Sequence, residues 1–421
     1  MPHPSTVALS LRARLAALKT VALRSLVRPA RTPLVSPDNF AVAGLLESPT
    51  GLGQSARLCR DALGDAGCSV GLIDLCERFK VPGGVPVDIA DRPPRPGPGT
   101  LIVHINAPQI SRALQHIGRR LVRDKLIVGY WAWELETVPA AWLDGARYVH
   151  EVWTPSRFVA KAVSKAIDRT VCIVPHVLRA PPKPDTDEQA QSAAREALGL
   201  PRSAFVAAFA FAMLSNFERK NPLAAIAAFK HAFGRDPSVC LILRCLDLNA
   251  YPAGLARIKS DIAGFDNIRL YGNAGVSIGS FMRAADVYLS LHRSEGFGLT
   301  MLEAMAYARP VVATNWSGNT DFMAPEGCVS IRYGLIPVHD PQETYQVPDS
   351  LWAEPDVESA AAALCRLRDN PTLRLTMAAK ARVNAEQFIS YSRTALHAAL
   401  IGQQQRATDG TAKNAASKGQ R

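Results

Sequence analysis

Apolar residues fall into two patterns along this chain. Short continuous runs at 40–45, 70–75, 100–105, 125–130, 148–153 and 170–174 have the length and residue types of buried strands. Between them, 53–66, 110–120 and 155–166 carry apolar residues at helical spacing. Strands that are apolar on both faces and alternate with helices predict a parallel sheet covered on both sides. The pattern stops at the Pro-rich stretch 179–185 and resumes near Pro201. Strands are predicted there at 205–211, 238–244, 268–271, 287–291, 311–314 and 329–331. Helices are predicted at 222–233 and 278–284, with a helical close from 356 to about 389. The chain therefore reads as α/β, with one doubly wound domain over 38–185, a second over 186–389, and a ligand cleft between them. A further helix at 390–402 precedes a polar tail at 403–421 whose composition predicts disorder.

At 421 residues and 48% apolar, the chain can fill two cores. It has no run of 18 apolar residues and so predicts no membrane span. Eight cysteines are scattered with no C-x-x-C pair, which predicts reduced thiols in a cytoplasmic protein rather than a disulfide framework or a zinc site. The net charge of +11 is concentrated at the start, where residues 1–36 hold six Lys or Arg and no acid. Leu11, Leu15, Leu18, Ala22 and Leu26 line one helical face there. Residues 7–31 thus predict a basic amphipathic helix suited to an anionic membrane surface, such as the inner face of the membrane. An acid-poor, Arg-rich start also has the look of an organelle transit peptide. No zinc-finger spacing or RNP-like aromatic motif accompanies the charge, so nucleic acid is not an expected partner.

The candidate chemistry is concentrated at 294–306, Ser-Glu-Gly-Phe-Gly-Leu-Thr-Met-Leu-Glu-Ala-Met-Ala. Glu295 and Glu303 stand eight positions apart, with Gly296-Phe297-Gly298 and the start of a helix between them. The loop follows the strand at 287–291, at the carboxyl end where open α/β sheets bind ligands. Free N–H groups of Gly298, Leu299 and Thr300 would open the helix and suit a phosphate. Glu295 can then hold hydroxyls beside that phosphate, and Glu303 can reach another part of the same ligand. Phosphate on one side and a polyol on the other describe a nucleotide sugar. The stretch resembles the E-x7-E signature of the family 4 retaining glycosyltransferases, which have the GT-B fold of two Rossmann-like domains. The resemblance implies that Glu295 contacts the donor sugar hydroxyls and Glu303 the nucleotide ribose. It places Gly296 and Phe297 in the donor loop, and Gly298, Leu299 and Thr300 at the donor phosphates through their backbone. It also implies that the helix at 390–402 crosses back onto the first domain.

Other segments extend the resemblance. Phe217-Glu218-Arg219-Lys220-Asn221-Pro222 follows the strand at 205–211, and Lys220 matches a family Lys that binds the donor phosphates. Where the family usually adds an Arg several residues earlier, Leu214 stands. Either Arg219 takes the second cationic role or one cation suffices. Trp316-Ser317-Gly318-Asn319-Thr320-Asp321-Phe322 resembles the Gly-containing loop beside the donor sugar, with Ser317, Gly318 and Asn319 supplying backbone and amide donors. Asp321 is expected to start the next helix. The loop at 129–139 combines Trp131, Trp133, Glu134 and Glu136, and aromatic faces with carboxylates suit an acceptor saccharide. Many family members carry a His in that loop. None is present here, so Glu134 or Trp133 is expected to take its space. His104 and Asn106, at the end of the strand at 100–105, are further candidates for the acceptor site.

Gly51, Gly53 and Ala56 match the G-x-G-x-x-A fingerprint, and Asp74 lies 21 residues beyond Gly53, where a ribose-binding acid would sit. This supports a rival reading as an NAD-dependent oxidoreductase. A nucleotide-sugar epimerase on the same fold and a non-catalytic sugar-binding protein are further alternatives. Against the fingerprint, the strand is predicted to end near residue 45, whereas the motif wants its first Gly directly after the strand. In the GT-B reading, Gly51 and Gly53 instead face the cleft near donor phosphates and acceptor. The expected activity is transfer of a hexosyl unit, mannosyl or glucosyl, from a nucleoside diphosphate sugar, GDP-mannose by preference. The expected acceptor is a hydroxyl of a saccharide or lipid-linked saccharide, as in polysaccharide assembly. The resemblance implies retention, with no metal and no other cofactor.

Overall fold

A computed structural model describes residues 35–179, 188–272 and 277–418, together with Pro29 and Pro33, and the side chains of the last helix as far as Arg406. The basic segment at 7–31, apart from Pro29, and the Pro-rich residues 180–185 lie outside the described residues. The first sheet contains β1 (Phe40–Gly44), β2 (Val70–Asp74), β3 (Gly99–His104), β4 (Lys125–Tyr130), β5 (Glu151–Thr154) and β6 (Thr170–Ile173). The second contains β7 (Phe205–Ala212), β8 (Val239–Leu246), β9 (Ile268–Tyr271), β10 (Val287–Ser290), β11 (Val311–Thr314) and β12 (Cys328–Ile331). Both are wholly parallel, in the orders β2-β1-β3-β4-β5-β6 and β12-β11-β10-β7-β8-β9. The helices that matter below are α1 (Gly51–Asp65), α2 (Arg157–Ser164), α3 (Phe217–Lys220), α4 (Pro222–Phe233), α5 (Leu299–Ala306), α6 (Val357–Asp369) and α7 (Pro371–Lys418).

The alternation of side chains along each strand divides the cores. In β1, Ala41 and Ala43 face one cluster with Leu101, Val103 and Trp131, while Phe40 and Val42 face the other with Ile102, Val128 and Trp153. In the second sheet, β7 is buried at every position, as its unbroken apolar run requires. Each sheet reverses its strand order once, between β1 and β3 in the first domain and between β7 and β10 in the second. A crevice opens at the carboxyl ends of the strands at such a reversal. The loop carrying Lys220 follows β7, and the loop carrying Glu295 follows β10. Topology alone thus brings these two segments to one place.

Two features differ from the sequence expectation. An antiparallel ribbon, β13 (Tyr333–Pro337) and β14 (Leu351–Pro355), lies outside both parallel sheets. Residues 333–355 mix Tyr, Leu, Ile and Trp with Pro, Gly and Asp, and show neither a long apolar run nor a helical period. The second difference is α7, which runs unbroken through 390 and on past 403. Its Ala381, Ala385 and Ile389 pack in the second domain, and its Leu396 and Ala399 pack with Phe40 and Val42 of the first. Gln403, expected in a disordered tail, is only 1% exposed. Its amide donates to the buried Glu151 carboxylate, which also accepts from Trp153 Nε1 at 2.9 Å and from Arg406. Composition conceals the docking beyond Ala399 because the polar side chains of Gln403 and Arg406 make it.

Glu151→Ala leaves Trp153 Nε1 and Gln403 without their acceptor, so a loss of about 3 kcal/mol in stability is expected from urea unfolding. A change within 0.5 kcal/mol, roughly what a surface site gives, would mean that this carboxylate does not hold the helix.

Candidate functional site

Helix α3 is a single turn held between two asparagines in left-handed backbone conformations, Asn216 at φ 73° and Asn221 at φ 52°. Asn tolerates that region better than most residues. Asn216 Oδ1 accepts from Arg219 N at 3.0 Å and so caps the turn, and Pro222 begins α4 directly afterwards. The turn presents Arg219 and Lys220 to the loop after β10. Lys220 Nζ is hydrogen-bonded to Glu295 Oε1, and Arg219 Nη1 lies 3.2 Å from Glu295 Oε2. Burial pushes the Glu295 carboxyl up, but the Lys220 ammonium and the Arg219 guanidinium outweigh it and hold the group at about 2. Glu295 is therefore ionised across the physiological range.

The two cations are not equivalent. Arg219 is 4% exposed, and its guanidinium also donates to Ser294 O at 2.8 Å and to Ser215 O at 2.7 Å. Those bonds anchor it under the loop, so it acts here as a support for Glu295 rather than as a free anion ligand. Lys220 keeps partial exposure, and among the described residues the carboxylate is the hydrogen-bond partner of its ammonium. Leu214, at the position of the family's Arg, is 52% exposed.

The loop itself is braced from beneath. Ser317 Oγ accepts from Glu295 N at 2.7 Å, and Gly318 N donates to Glu295 O at 2.9 Å. A Cβ on Gly318 would fall 2.3 Å from Gly296 O, so only glycine fits there. Asn319 is fully buried. Its amide donates to Thr314 O at 2.9 Å, and its Oδ1 lies 3.0 Å from His292 Nε2. The side chains of Ser317 and Asn319 are therefore engaged in holding the loop, where the sequence suggested donors for a ligand. Gly298 caps α5 at φ 95° with no side chain to accept, and Met301 N and Leu302 N donate to its carbonyl, so among the described residues the Leu299 and Thr300 N–H groups are left uncapped at the helix start. Glu303 follows within α5. Burial raises its carboxyl to about 7, only partly offset by Arg244.

Loops of the first domain close over this loop. Ser294 Oγ donates to Glu134 O, and Ser156 Oγ donates to Gly296 O at 2.6 Å while capping α2. Asp321 begins no new helix. Its carboxylate accepts from Arg157 N at 2.8 Å and pairs with the Arg157 side chain at 3.3 Å, linking the domains. Glu134 Oε2 accepts from Tyr345 at 2.9 Å, and its Oε1 is 3.9 Å from Arg219. Trp133 is core: its Nε1 donates to Thr137 O at 2.9 Å, and its ring packs on Trp142 and Tyr345. Asn106 braces the same loop by accepting from Ala132 N at 3.0 Å. Ser156 and Tyr345 were not singled out from the sequence. A Ser before an apolar helix start was the signal for the first, and an aromatic residue in a polar stretch the signal for the second.

The remaining candidates lie apart. His104 is fully buried, its Nδ1 2.9 Å from Ser55 Oγ and its ring stacked on Tyr130. Burial holds it well below its ordinary pKa. An enclosed neutral imidazole is not available to an acceptor, so His104 is a structural residue here. Gly51 is the exposed first residue of α1, with nothing near it that requires a glycine. Gly53 lets α1 pack on the preceding loop, since a Cβ there would fall 2.3 Å from Ser48 O. That loop is filled by Arg57, which donates to Leu46 O and Ser48 O. Asp74 accepts from Glu47 N at 3.2 Å and Cys76 N at 2.8 Å, so the expected ribose acid already serves the backbone. The dinucleotide fingerprint is thus not formed, because β1 ends seven residues before Gly51.

The fold favours protonated Glu303, so its contribution is best below its ordinary value of 4.5 and worsens as pH rises through about 7. Glu303→Gln is expected to melt above the wild type at pH 8, by up to ~3 kcal/mol, and to match it below pH 4.5. A variant less stable than the wild type at pH 8 would contradict this burial.

Residues 209–370 match the family described as Glycosyl transferases group 1. This segment spans β7 to the end of α6 and contains Lys220, Glu295, Gly298, Glu303 and Gly318. A D-inositol 3-phosphate glycosyltransferase from Saccharomonospora viridis is 31% identical over 48% of this chain and 44% of its own length. A second of that name, from Streptomyces griseus, is 28% identical over 49% of this chain and 40% of its own. The chain thus spans less than half the length of these relatives. The Anabaena protein HepE, in its complex with UDP-glucose, superposes with a TM-score of 0.62 at 15% identity, over 86% of this chain and 99% of that one. Sucrose-phosphate synthase from Thermosynechococcus elongatus gives 0.58 at 16% identity, over 88% of this chain and all of the other. The chain therefore has the GT-B fold of two parallel-sheet domains, and the segment of its second domain from 209 to 370 is similar to the group 1 glycosyl transferases.

Proposed function

We propose that the protein is a retaining glycosyltransferase that moves a hexosyl unit from a nucleoside diphosphate sugar to a hydroxyl acceptor. The observation that carries this reading is the meeting of Lys220, Glu295 and the uncapped start of α5 at the β7/β10 reversal. A diphosphate fits between an ammonium and a helix N-terminus, and a sugar beside it meets a carboxylate. The match to the group 1 family over this segment, and relatives named as glycosyltransferases, agree with it.

The geometry suggests how the charges would be used. Glu295 has two cationic partners. When a diphosphate enters, Lys220 can turn to it while Arg219 stays with Glu295, and the freed Oε1 can accept from a sugar hydroxyl. Glu303 would take the ribose diol. The bond from the anomeric carbon to the phosphate oxygen breaks with its electron pair going to the leaving diphosphate, whose charge Lys220 and the α5 N–H groups stabilise. The acceptor oxygen bonds to the anomeric carbon from the same face, and its proton passes to the departing phosphate oxygen. Each such electrostatic contact is typically worth about 3 kcal/mol in the transition state. Mannosyl or glucosyl transfer to a saccharide or lipid-linked saccharide at the inner membrane face is the reading we favour, with GDP-mannose as donor.

Lys220→Ala and Glu295→Gln are each expected to lower release of nucleoside diphosphate from the donor by about 10²–10³ while leaving the melting profile cooperative. Near-wild-type turnover in either variant would remove the assignment.

A further inference from the structure

The ribbon of β13 and β14 belongs to neither sheet, yet the loop joining its strands reaches the centre of the site. Its course is fixed by Asp340, 5% exposed, whose carboxylate accepts from Gln342 N at 2.9 Å, Thr344 N at 2.7 Å and Tyr345 N at 2.8 Å. The same carboxylate accepts from Asn216 Nδ2 at 2.6 Å, and Gln342 Oε1 accepts from Phe217 N at 2.6 Å. The loop is therefore tied to the turn that carries Arg219 and Lys220. The base of the ribbon is tied to it as well. Arg293 binds Glu354 at 2.5 Å and Glu218 at 3.0 Å, and its O accepts from Ala353 N at 2.9 Å.

These ties place Tyr345, itself 4% exposed, between the domains. Its ring packs against Trp133 at 5.2 Å and Trp352 at 6.5 Å, and the Arg219 guanidinium lies 5.8 Å from the ring centre. Burial holds the phenol well above its ordinary pKa, so the hydroxyl keeps its proton and donates it to Glu134 Oε2. One oxygen of Glu134 is thus occupied. The other, Oε1, is 3.9 Å from Arg219 Nη2 and 3.5 Å from where a Cβ on Gly296 would stand, so it faces the donor loop with the guanidinium at its side.

We infer that Tyr345 is a positioning residue for the transfer reaction: its hydroxyl fixes one oxygen of Glu134 so that the other is presented to the acceptor hydroxyl beside the donor loop. This rests on the glycosyltransferase reading above. It assigns the ribbon a task that neither Rossmann-like domain performs, which is to set the rotation of a carboxylate from one domain against the sugar held by the other. The specificity for acceptor follows from that rotation, because Oε1 can accept from a hydroxyl but cannot donate to a carbonyl or an ether oxygen.

The test is a double-mutant cycle on Tyr345→Phe and Glu134→Gln in the full chain. The readout is steady-state hydrolysis of UDP-glucose and GDP-mannose, in which water takes the acceptor's place. Phenylalanine preserves the ring packing on both tryptophans, and thermal melting checks that it does. Tyr345→Phe is expected to lower kcat roughly 10- to 100-fold with the donor KM unchanged. In the Glu134→Gln background the same substitution is expected to have no further effect. Equal losses in both backgrounds would show that Tyr345 does not act through Glu134 and would overturn the inference. A raised donor KM, or wild-type kcat in Tyr345→Phe, would overturn it too. If the wild-type protein releases nucleotide from neither donor, the transferase reading itself fails, and Tyr345 has no such reaction to serve.

Discussion

The site depends on one buried ion pair. Glu295 and Lys220 come from different loops of one sheet, which the strand order brings together and which that pair, with Arg219 beneath it, locks to each other. Removing such charges from water costs several kcal/mol per ion, and their mutual attraction repays it only with good geometry and additional hydrogen bonds. The structure supplies both. Arg219 takes the second carboxylate oxygen and two carbonyls, and Ser317 and Gly318 fix the backbone of the same loop. An apolar pair would be as stable and simpler to build. A charged cluster that keeps one partly exposed ammonium is suited to exchanging its partner for an anionic ligand.

The supports radiate outward from that cluster. Asp340 and Arg293 tie the ribbon to the α3 turn, His292 and Asn319 tie β11 to the Glu295 loop, and Ser156 closes the first domain onto Gly296. Farther away, α7 spans both domains and meets Glu151 through Gln403 and Arg406. Contacts of this kind hold the two Rossmann-like halves in one arrangement, so that a carboxylate of the first domain, Glu134, lies within reach of a loop of the second.

Much of this was legible from residue order. The central strands β7 and β11 coincide with apolar runs, because a parallel strand buried on both faces has few polar positions to break its pattern. Glu295, Gly298 and Lys220 were legible because strand, loop and helix signals bracket them. The ribbon was not, since its residues take their order from Asp340 and Arg293 rather than from periodicity. The docking of α7 on Glu151 was hidden for a related reason: Gln403 and Arg406 are polar, and only the fold brings Glu151 opposite them. His104 and Gly51 misled because a strand end and a G-x-G spacing each have an ordinary structural use, which the Ser55 contact and the start of α1 here supply. Arg219 lies between these cases, since a cation next to Lys220 was evident but its carbonyl partners were not.

The central claim is that the Lys220–Glu295 pair binds the phosphate and sugar of a nucleotide sugar. Its most direct test is thermal stabilisation of the wild type and of Lys220→Ala by GDP, UDP, GDP-mannose, UDP-glucose and NAD. The account predicts stabilisation by the nucleotides of one base, about 2.7 kcal/mol at 100 times Kd, that is lost in Lys220→Ala and absent with NAD. Stabilisation by NAD alone, or a nucleotide shift undiminished in Lys220→Ala, would contradict it.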